Sequence, residues 1–198
     1  GMSQQGKPAL LAVDYEAETI QWAFRSDGPA IYPPTANDRM VGLCLANDLF
    51  CLDKRDGQMS WDVPFRPPRV TSRGALTSPA LIASDQVMVG GGDWYEGKPG
   101  YTLFALGLCD GRRTWSYRVP SRLRIRPQAL GSMIVFVDSV GAMTALDKGS
   151  GRLLWKVTLG DKPATVPAIG DDYVYVATQR GQLIRVRFRP RVMLPSQS

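Results

Sequence analysis

Histidine is the residue type that this chain of 198 residues lacks altogether. Without it there can be no Ser-His-Asp triad, no Cys-His dyad, no histidine-ligated zinc and no c-type haem motif. Cysteine is scarce, because Cys44, Cys51 and Cys109 are too few and too scattered for a structural metal site. Their odd number argues against a secreted scaffold built on disulfides. These absences exclude the commonest catalytic and metal-binding centres.

Long apolar runs are also missing, since no stretch approaches the roughly 18 residues that a membrane-spanning helix needs. The first residues, Gly1 to Gln5, have neither the basic start nor the apolar stretch of a secretory signal. We therefore expect a cytoplasmic protein if the sequence is full length. If a leader has been removed, the expected compartment is the periplasm.

Basic residues outnumber acidic residues in this chain. The net charge is +6, and the apolar fraction of 44% is enough for one buried core. The excess of positive charge is mainly arginine, and guanidinium groups bind phosphates and carboxylates through paired hydrogen bonds. One interpretation of this composition is an acidic partner. The simpler alternative is a solvated surface that is rich in arginine.

One phrase recurs along the chain and ends each time in tryptophan. In three copies an aspartate lies eight residues before the tryptophan, and in three a glycine lies four residues before it. The tryptophans are Trp22, Trp61, Trp115 and Trp155, the aspartates Asp14, Asp53 and Asp147, and the glycines Gly57, Gly111 and Gly151. Self-similarity at about 40 residues indicates a stack of one supersecondary unit.

Around each copy the sequence alternates with the period of a β-strand. β-branched and aromatic runs of strand length, such as 133–137 and 173–176, precede polar turns. A short run with a proline comes before each of them, at Pro34, Pro79, Pro127 and Pro167. Each module is therefore predicted to hold four short antiparallel strands, A to D in chain order. Such modules, repeating without helices, are typical of β-propeller blades.

The phrase resembles the PQQ-type propeller repeat, whose consensus runs Ala-x-Asp-x-x-x-Gly-x-x-x-Trp, and residues 145–155 match it closely. The resemblance implies an all-β propeller in which the tryptophan packs between neighbouring blades. It also implies that the aspartate and glycine shape the turn between strands C and D. Glu18 replaces the glycine in the first copy, and Gly107 replaces the aspartate in the third. The fifth copy has Arg187, Arg191 and Pro195 at the three positions.

The number of A–B strand pairs does not match the number of C–D strand pairs. There are four A–B pairs but five C–D segments, in repeat units of about 9–25, 29–64, 75–119, 122–159 and 162–195 that form a single propeller domain. A propeller has to close, or it leaves open sheet edges. We expect residues 10–24 to pair with the strands of residues 164–178. Within one chain this gives four blades, and between two chains it gives eight, the usual number in the PQQ-type family. Open association of partial rings is a third arrangement.

The chemistry of the family's enzymes is missing. PQQ dehydrogenases use a vicinal disulfide, calcium-binding acids and a catalytic aspartate, whereas this chain has no adjacent cysteines and no acidic cluster. The repeat aspartates are expected to be turn residues that accept hydrogen bonds from nearby backbone N–H groups. We expect no catalytic residue, no cofactor and no metal. The family's outer-membrane assembly lipoproteins are a further analogy, although their lipobox cysteine has no counterpart here.

Propeller geometry places the D–A and B–C connections on one face of the disc. The B–C connection from Gly90 to Gly100 is enlarged and carries Trp94 and Tyr95. The D–A connections on this face carry arginines, namely Arg66, Arg69, Arg73, Arg118, Arg122 and Arg124. An aromatic pair on an arginine-rich face suits the binding of an acidic protein, a phosphate or a polyanion. The simpler interpretation is that both rings fold down over the blade edge.

The sequence thus favours a non-enzymatic binding or scaffold module that engages a protein, or an acidic or anionic ligand, on this face. The alternatives are a self-associating subunit that completes an eight-bladed ring as a homodimer, and a remnant of a quinone-binding enzyme. Nucleic acid is not expected, because the arginines at 185, 187, 189 and 191 alternate with apolar residues without stacking aromatics, as in a charged edge strand.

The position of the hairpin turn near residue 47 determines whether Cys44 and Cys51 face each other. If Asn47 and Asp48 form a two-residue turn, Cys44 lies directly opposite Cys51. We expect both to be free thiols that pack as small apolar residues, because a cytoplasmic chain keeps such a pair reduced.

Overall fold

The fold is described from a computed structural model, in which residues 7–26, 32–45, 47–65, 76–95, 98–170 and 172–188 are placed. Within these ranges all regular structure is β-strand, and no helix is long and apolar enough to cross a membrane. The strands are β1 Lys7–Asp14, β2 Thr19–Ser26, β3 Thr35–Ala36, β4 Met40–Leu45, β5 Asp48–Asp53, β6 Met59–Pro64, β7 Leu81–Ala83, β8 Gln86–Tyr95, β9 Lys98–Gly107, β10 Arg113–Val119, β11 Gln128–Leu130, β12 Met133–Val137, β13 Ala142–Asp147, β14 Leu153–Thr158, β15 Ala168–Ile169, β16 Tyr173–Ala177 and β17 Leu183–Arg187.

These strands form antiparallel sheets in simple chain order, which confirms the predicted all-β class with four-stranded blades. Three sheets are complete: β3–β6 (blade 2), β7–β10 (blade 3) and β11–β14 (blade 4). The chain starts with a half-blade, β1–β2 (blade 1), and the three-stranded sheet β15–β17 (blade 5) follows blade 4. The predicted strands A to D are therefore the four strands of each complete sheet.

Proline marks the start of every A strand. Pro34 and Pro127 directly precede β3 and β11, and Pro167 directly precedes β15, while Pro79 lies two residues before β7. Proline has no backbone N–H to donate to a sheet, so it occurs at strand starts, on edge strands and at bulges rather than in the middle of a central strand. The A strands are accordingly short, at two or three residues each.

The expected pairing of the first segment with residues 164–178 is not found. Among the described residues, β1 pairs with β2 alone, and β16 already has β15 on one edge and β17 on the other. The fifth copy of the repeat is degenerate in sequence, yet it forms the C strand β17. This strand pairs with β16 at the edge where β1 was expected to pair. The physical reason is proximity in the chain, because a hairpin partner forms at less entropic cost than a distant one.

The hydrophobic core lies between the blades. Four clusters of buried side chains each join neighbouring sheets, and each contains one repeat tryptophan. Between blades 3 and 4, for example, Trp115 and Met88 pack against Ile134, Phe136 and Leu146. Each blade is thus stabilised mainly by its neighbours, as in other repeat architectures.

Three of the four repeat tryptophans pack on the glycine turn of the following blade. A Cβ atom on Gly57 would lie 2.5 Å from the Trp22 ring, and one on Gly151 would lie 2.6 Å from the Trp115 ring. Gly111 has the same relation to Trp61, at 2.9 Å. All three glycines have φ angles near +70° (67° to 70°), which is the left-handed region. Glycine is required here both for its backbone conformation and for the closeness of the indole.

The indole N–H completes the contact. Trp22 donates to the carbonyl of Lys54, Trp61 to that of Leu108 and Trp115 to that of Lys148, each at 2.9 Å. Every acceptor is the residue that follows the aspartate position of the next repeat. Trp155 differs, since its buried indole nitrogen has no hydrogen-bond partner among the described residues.

The repeat aspartates lie in the turns between strands C and D. One oxygen of Asp14 accepts from the backbone N–H groups of Glu16 and Ala17, both at 3.0 Å. One oxygen of Asp147 accepts from the backbone N–H of Ser150 at 2.9 Å, and the Ser150 hydroxyl holds the pKa of this carboxyl below its ordinary value. These contacts fix the turn that presents the glycine to the tryptophan.

The predicted opposition of Cys44 and Cys51 is wrong, because the register differs by two residues. Cys44 lies opposite Leu49, and Cys51 lies opposite Gly42. The hairpin turns one residue earlier than expected because Asp48 already belongs to the strand, and the carbonyl of Asn47 accepts from the backbone N–H of Phe65 at 2.8 Å. The two cysteines are diagonal neighbours in the core between blades 2 and 3, and both are free thiols.

The glycine–indole contact predicts the effect of one methyl group. Gly151→Ala should lower the free energy of unfolding by about 1–3 kcal/mol more than Gly160→Ala, because the new methyl overlaps the Trp115 ring. Gly160 is the matched control: it also has a positive φ, at 79°, yet nothing lies within 4 Å of its Cβ position. Urea unfolding of both variants in the wild-type and Trp115→Ala backgrounds measures the difference, which should vanish without the indole.

The cysteines differ in predicted reactivity. Burial raises the pKa of the Cys44 and Cys51 thiols to about 12, whereas Cys109 is exposed. A thiol reagent at pH 8 should therefore modify one cysteine in the folded protein and three after denaturation. Rapid modification of two or more thiols in the folded protein would contradict this packing.

Candidate functional site

A cleft of about 310 Å³ lies between blades 4 and 5, on the face formed by the D–A and B–C connections. Its lining comes from two connections of each kind. The lining residues are Arg124, Ile125, Val137, Asp138, Ser139, Val140, Lys162, Pro163 and Gln179. The cleft is therefore on the face that the sequence analysis predicted for binding, and blades 2 and 3 separate it in chain order from the half-blade.

Backbone hydrogen bonds join these connections to one another. The N–H of Ser139 donates to the carbonyl of Arg122 at 2.9 Å, and the N–H of Gln179 donates to that of Lys162 at 2.9 Å. Gly141, with a φ of 88°, sits so close to the carbonyl of Asp161 that no Cβ would fit. Backbone contacts thus hold the connections that form the cleft in place.

Asp138 is the most informative residue of the cleft. Its side chain is 1% exposed, and its Oδ1 atom accepts from the backbone N–H groups of Val140 at 3.1 Å and Ala142 at 2.9 Å. Its Oδ2 atom is buried and has no partner among the described residues. An unpaired buried acceptor costs about 1–3 kcal/mol, so a site that keeps one is suited to a ligand that brings a donor.

Two cations line the same cleft as Asp138. Arg124 and Lys162 line the cleft from successive D–A connections, and both side chains are exposed. Arg122, next to them, is half-buried and its Nε atom has no partner among the described residues. The cleft can therefore accept one hydrogen bond at Asp138 while it attracts a negative group to Arg124 and Lys162.

The arginines predicted to bind a partner fall into three groups. Arg124 lines the cleft, and Arg122 lies next to it in the chain. The Arg118 guanidinium lies against Gly100, with its Nη2 atom 3.1 Å from the Cβ position of that glycine. The third group comprises Arg66, Arg69 and Arg73, which lie outside the described residues.

Trp94 and Tyr95 lie on the enlarged B–C connection, which is an extended hairpin and not an irregular loop. Strands β8 and β9 continue past the blade as one long hairpin in which Trp94 pairs with Pro99 and Tyr95 with Lys98. Gly90, near the start of this extension, packs closely against the following connection, since a Cβ there would lie 2.9 Å from that of Leu123. The side chains of Trp94 and Tyr95 are outside the described part of the structure.

Sequence reasoning missed Asp138 and Lys162. A signal for Asp138 exists, because it stands 40 residues before Thr178 at the same place in the repeat, where a short polar side chain caps the B–C turn. Thr178 has a single oxygen for this task, and Asp138 has two. The burial of the second oxygen depends on how neighbouring blades pack. The repeat pattern in the sequence gives no information about that packing.

The opposite face has a smaller cleft of about 220 Å³, lined by Asp38, Arg39, Met40, Asp53 and Arg55. Two of its charged side chains, Asp53 and Arg55, pair with each other. Arg55 donates to Asp53 at 2.8 Å, and this contact lowers the pKa of the Asp53 carboxyl to about 2. The described residues contain no group of three or more acidic or cysteine side chains placed to hold a metal ion.

Comparison with known proteins places the chain in a family. Residues 48–190, more than half of the chain, match the model of a PQQ-type family described as outer membrane protein assembly factor BamB. The chain belongs to this family. The assembly factor BamB of Yersinia pestis is 24% identical over 204 aligned positions that cover 97% of this chain and 49% of that protein. The chain thus spans about half the length of the curated relatives that it matches.

Solved structures support the same fold, and the protein is a β-propeller of PQQ-like repeats. BamB from Moraxella catarrhalis superposes with a TM-score of 0.68 at 22% identity, covering 94% of this chain and 58% of that one. The computationally designed protein Ika4 superposes with a TM-score of 0.62 at 14% identity, covering 94% of this chain and 96% of that one.

The two oxygens of Asp138 should be separable by mutation. Asp138→Ala removes the acceptor of two backbone N–H groups and should lower the free energy of unfolding by about 1–3 kcal/mol. Asp138→Asn keeps an oxygen for those bonds, and it should retain most of that stability. Chemical unfolding measures both values, and equal losses in the two variants would show that the turn does not depend on Oδ1.

Proposed function

We propose that this chain is a non-enzymatic binding module of outer membrane protein assembly, which engages a protein partner at the cleft between blades 4 and 5. The relatives that it matches are named as outer membrane protein assembly factors, which supports a role in assembly rather than catalysis. No cofactor is needed for this role.

The observation that carries the proposal is the buried, unpaired Oδ2 atom of Asp138 in a cleft that two exposed cations also line. An extended peptide segment satisfies both features, since its backbone N–H can donate to Asp138 while an acidic side chain meets Arg124 and Lys162. The partner is thus expected to present an acidic, exposed segment. A small anion would use the two cations and leave Asp138 unsatisfied, so a peptide fits the cleft better.

We place the protein in the periplasm, because an assembly factor for outer membrane proteins acts on that side of the envelope. The alternative compartment for the sequence as printed is the cytoplasm. Fractionation of cells that express the natural gene product should recover the protein with the periplasmic or membrane fraction. Recovery in the cytoplasm alone would contradict the proposed role.

Site-specific photocrosslinking tests the partner directly. A photoreactive residue in place of Val140, which lines the cleft and is 57% exposed, should capture one protein in living cells, and mass spectrometry should identify it as a component of outer membrane protein assembly. The control is position 152, because Arg152 is also exposed but lies in a C–D turn on the opposite face. Equal capture from both positions, or none from position 140, would contradict the assignment of this face.

Mutation then distinguishes a peptide partner from an anion. Asp138→Asn turns the acceptor at Oδ2 into a donor and keeps the turn, so it should abolish capture of a peptide partner. Binding of a simple anion such as phosphate depends only on the cations, so it should survive Asp138→Asn and fall in the double variant Arg124→Ala, Lys162→Ala. Capture that persists in Asp138→Asn would overturn the peptide proposal.

Self-association is the second candidate function. It is favoured by one specific observation, the exposed apolar side chains on the half-blade β1–β2.

A further inference from the structure

Arg122 borders the cleft and has a donor that no described residue uses. Its side chain is half-buried, and its Nε atom is buried without an acceptor among the described residues. Its guanidinium also forms no ion pair with a described residue, whereas that of Arg55 on the opposite face pairs with Asp53 at 2.8 Å. A buried donor without an acceptor is costly, so this group suits a ligand that brings one.

The segment that contains Arg122 is fixed beside the segment that contains Asp138. The backbone N–H of Ser139 donates to the carbonyl of Arg122 at 2.9 Å, and the hydroxyl groups of Ser121 and Ser139 share a hydrogen bond of 2.5 Å. The two segments are therefore joined at two points. An unpaired donor, Arg122 Nε, and an unpaired acceptor, Asp138 Oδ2, thus belong to neighbouring segments of one junction.

These two groups do not satisfy each other. Asp138 Oδ1 accepts from the backbone N–H groups of Val140 and Ala142, and these bonds fix the orientation of the carboxylate. Moving the carboxylate to Arg122 would break both bonds and open the turn. Among the described residues no ion pair joins Asp138 to Arg122. The junction therefore keeps one acceptor and one donor available to a ligand.

The opposite charges of the two groups select the chemistry of a ligand that satisfies both. A carboxylate or phosphate would pair with Arg122, but Asp138 would repel it. An ammonium group would pair with Asp138, but Arg122 would repel it. A neutral amide has no charge for either group to repel, and it has both an N–H donor and a C=O acceptor. The backbone of an extended peptide presents both groups at every residue except proline.

We propose that Asp138 and Arg122 together bind the main chain of the partner, whose N–H donates to Asp138 Oδ2 while a C=O accepts from Arg122 Nε. This inference rests on the proposed function and deepens it, because it assigns Arg122 as a second residue that binds the main chain. Arg124 and Lys162 then supply the preference for an acidic side chain nearby. The partner segment therefore needs an acidic residue beside a main-chain unit that any residue except proline can supply.

A small molecule with one carboxylate and one amide tests the role of Asp138. N-methylsuccinamate has a single N–H, and monomethyl succinate replaces that N–H by an ester oxygen with little change in shape. The full chain should bind the amide about tenfold more tightly than the ester, because the ester leaves Asp138 Oδ2 unpaired. In Asp138→Asn the two affinities should be equal, since the amide nitrogen that replaces Oδ2 cannot accept a hydrogen bond.

The role of Arg122 has its own readout, the Nε–H signal of its guanidinium in ¹⁵N NMR spectra. N-methylsuccinamate should shift this signal, which is assigned by its loss in Arg122→Lys, and should leave the Nε–H signal of Arg152 in place. Arg152 is the matched control, because it is exposed on the opposite face. Arg122→Lys keeps the charge but loses the fixed Nε donor, so it should weaken amide binding about tenfold, whereas Arg152→Lys should not.

Equal affinity of the wild-type chain for the amide and the ester, no binding of the amide at millimolar concentrations, or an unmoved Arg122 signal would each overturn the proposal. Circular dichroism checks that each variant is folded, and the first three comparisons need the wild-type chain alone. Partner capture at position 140 is a separate readout. A partner that is captured there while amide and ester bind equally would refute the main-chain contact and leave the proposed function standing.

Discussion

The contact between a tryptophan and the glycine turn of the next blade is the constraint on which this structure depends. Each blade is a small sheet that cannot bury both faces alone, and the indole joins it to its neighbour by packing and by one hydrogen bond to a backbone carbonyl. The turn must adopt a positive φ and offer no Cβ, and glycine alone satisfies both conditions readily. The aspartate before it fixes the turn so that the glycine arrives in the right place.

The same constraint explains where the sequence was sufficient. The spacing of Asp147, Gly151 and Trp155 predicted four-stranded antiparallel blades, because that spacing is the length of one turn and the strand after it. The prolines predicted the starts of the A strands for a local reason as well, the missing N–H. Features that depend on a few neighbouring residues could thus be predicted from the chain alone.

Features that depend on contacts between distant residues could not. The pairing of β16 with β17 instead of β1 is a choice between two similar strands, decided by distance along the chain. The register around Cys44 depends on a bond from Phe65 to Asn47, which no local pattern contains. The buried oxygen of Asp138 arises because D–A and B–C connections of two blades meet around it. A binding cleft formed between repeats is therefore harder to predict than the repeats themselves.

The docking of the indoles is tested most directly by hydrogen exchange of their N–H protons, followed by NMR. If docking holds the blades together, the indole protons of Trp61 and Trp115 exchange only when the whole protein unfolds, with the same free energy as the slowest strand amides. Rapid exchange of these two protons while the strand amides stay protected would show that the tryptophans are not docked and would contradict the account.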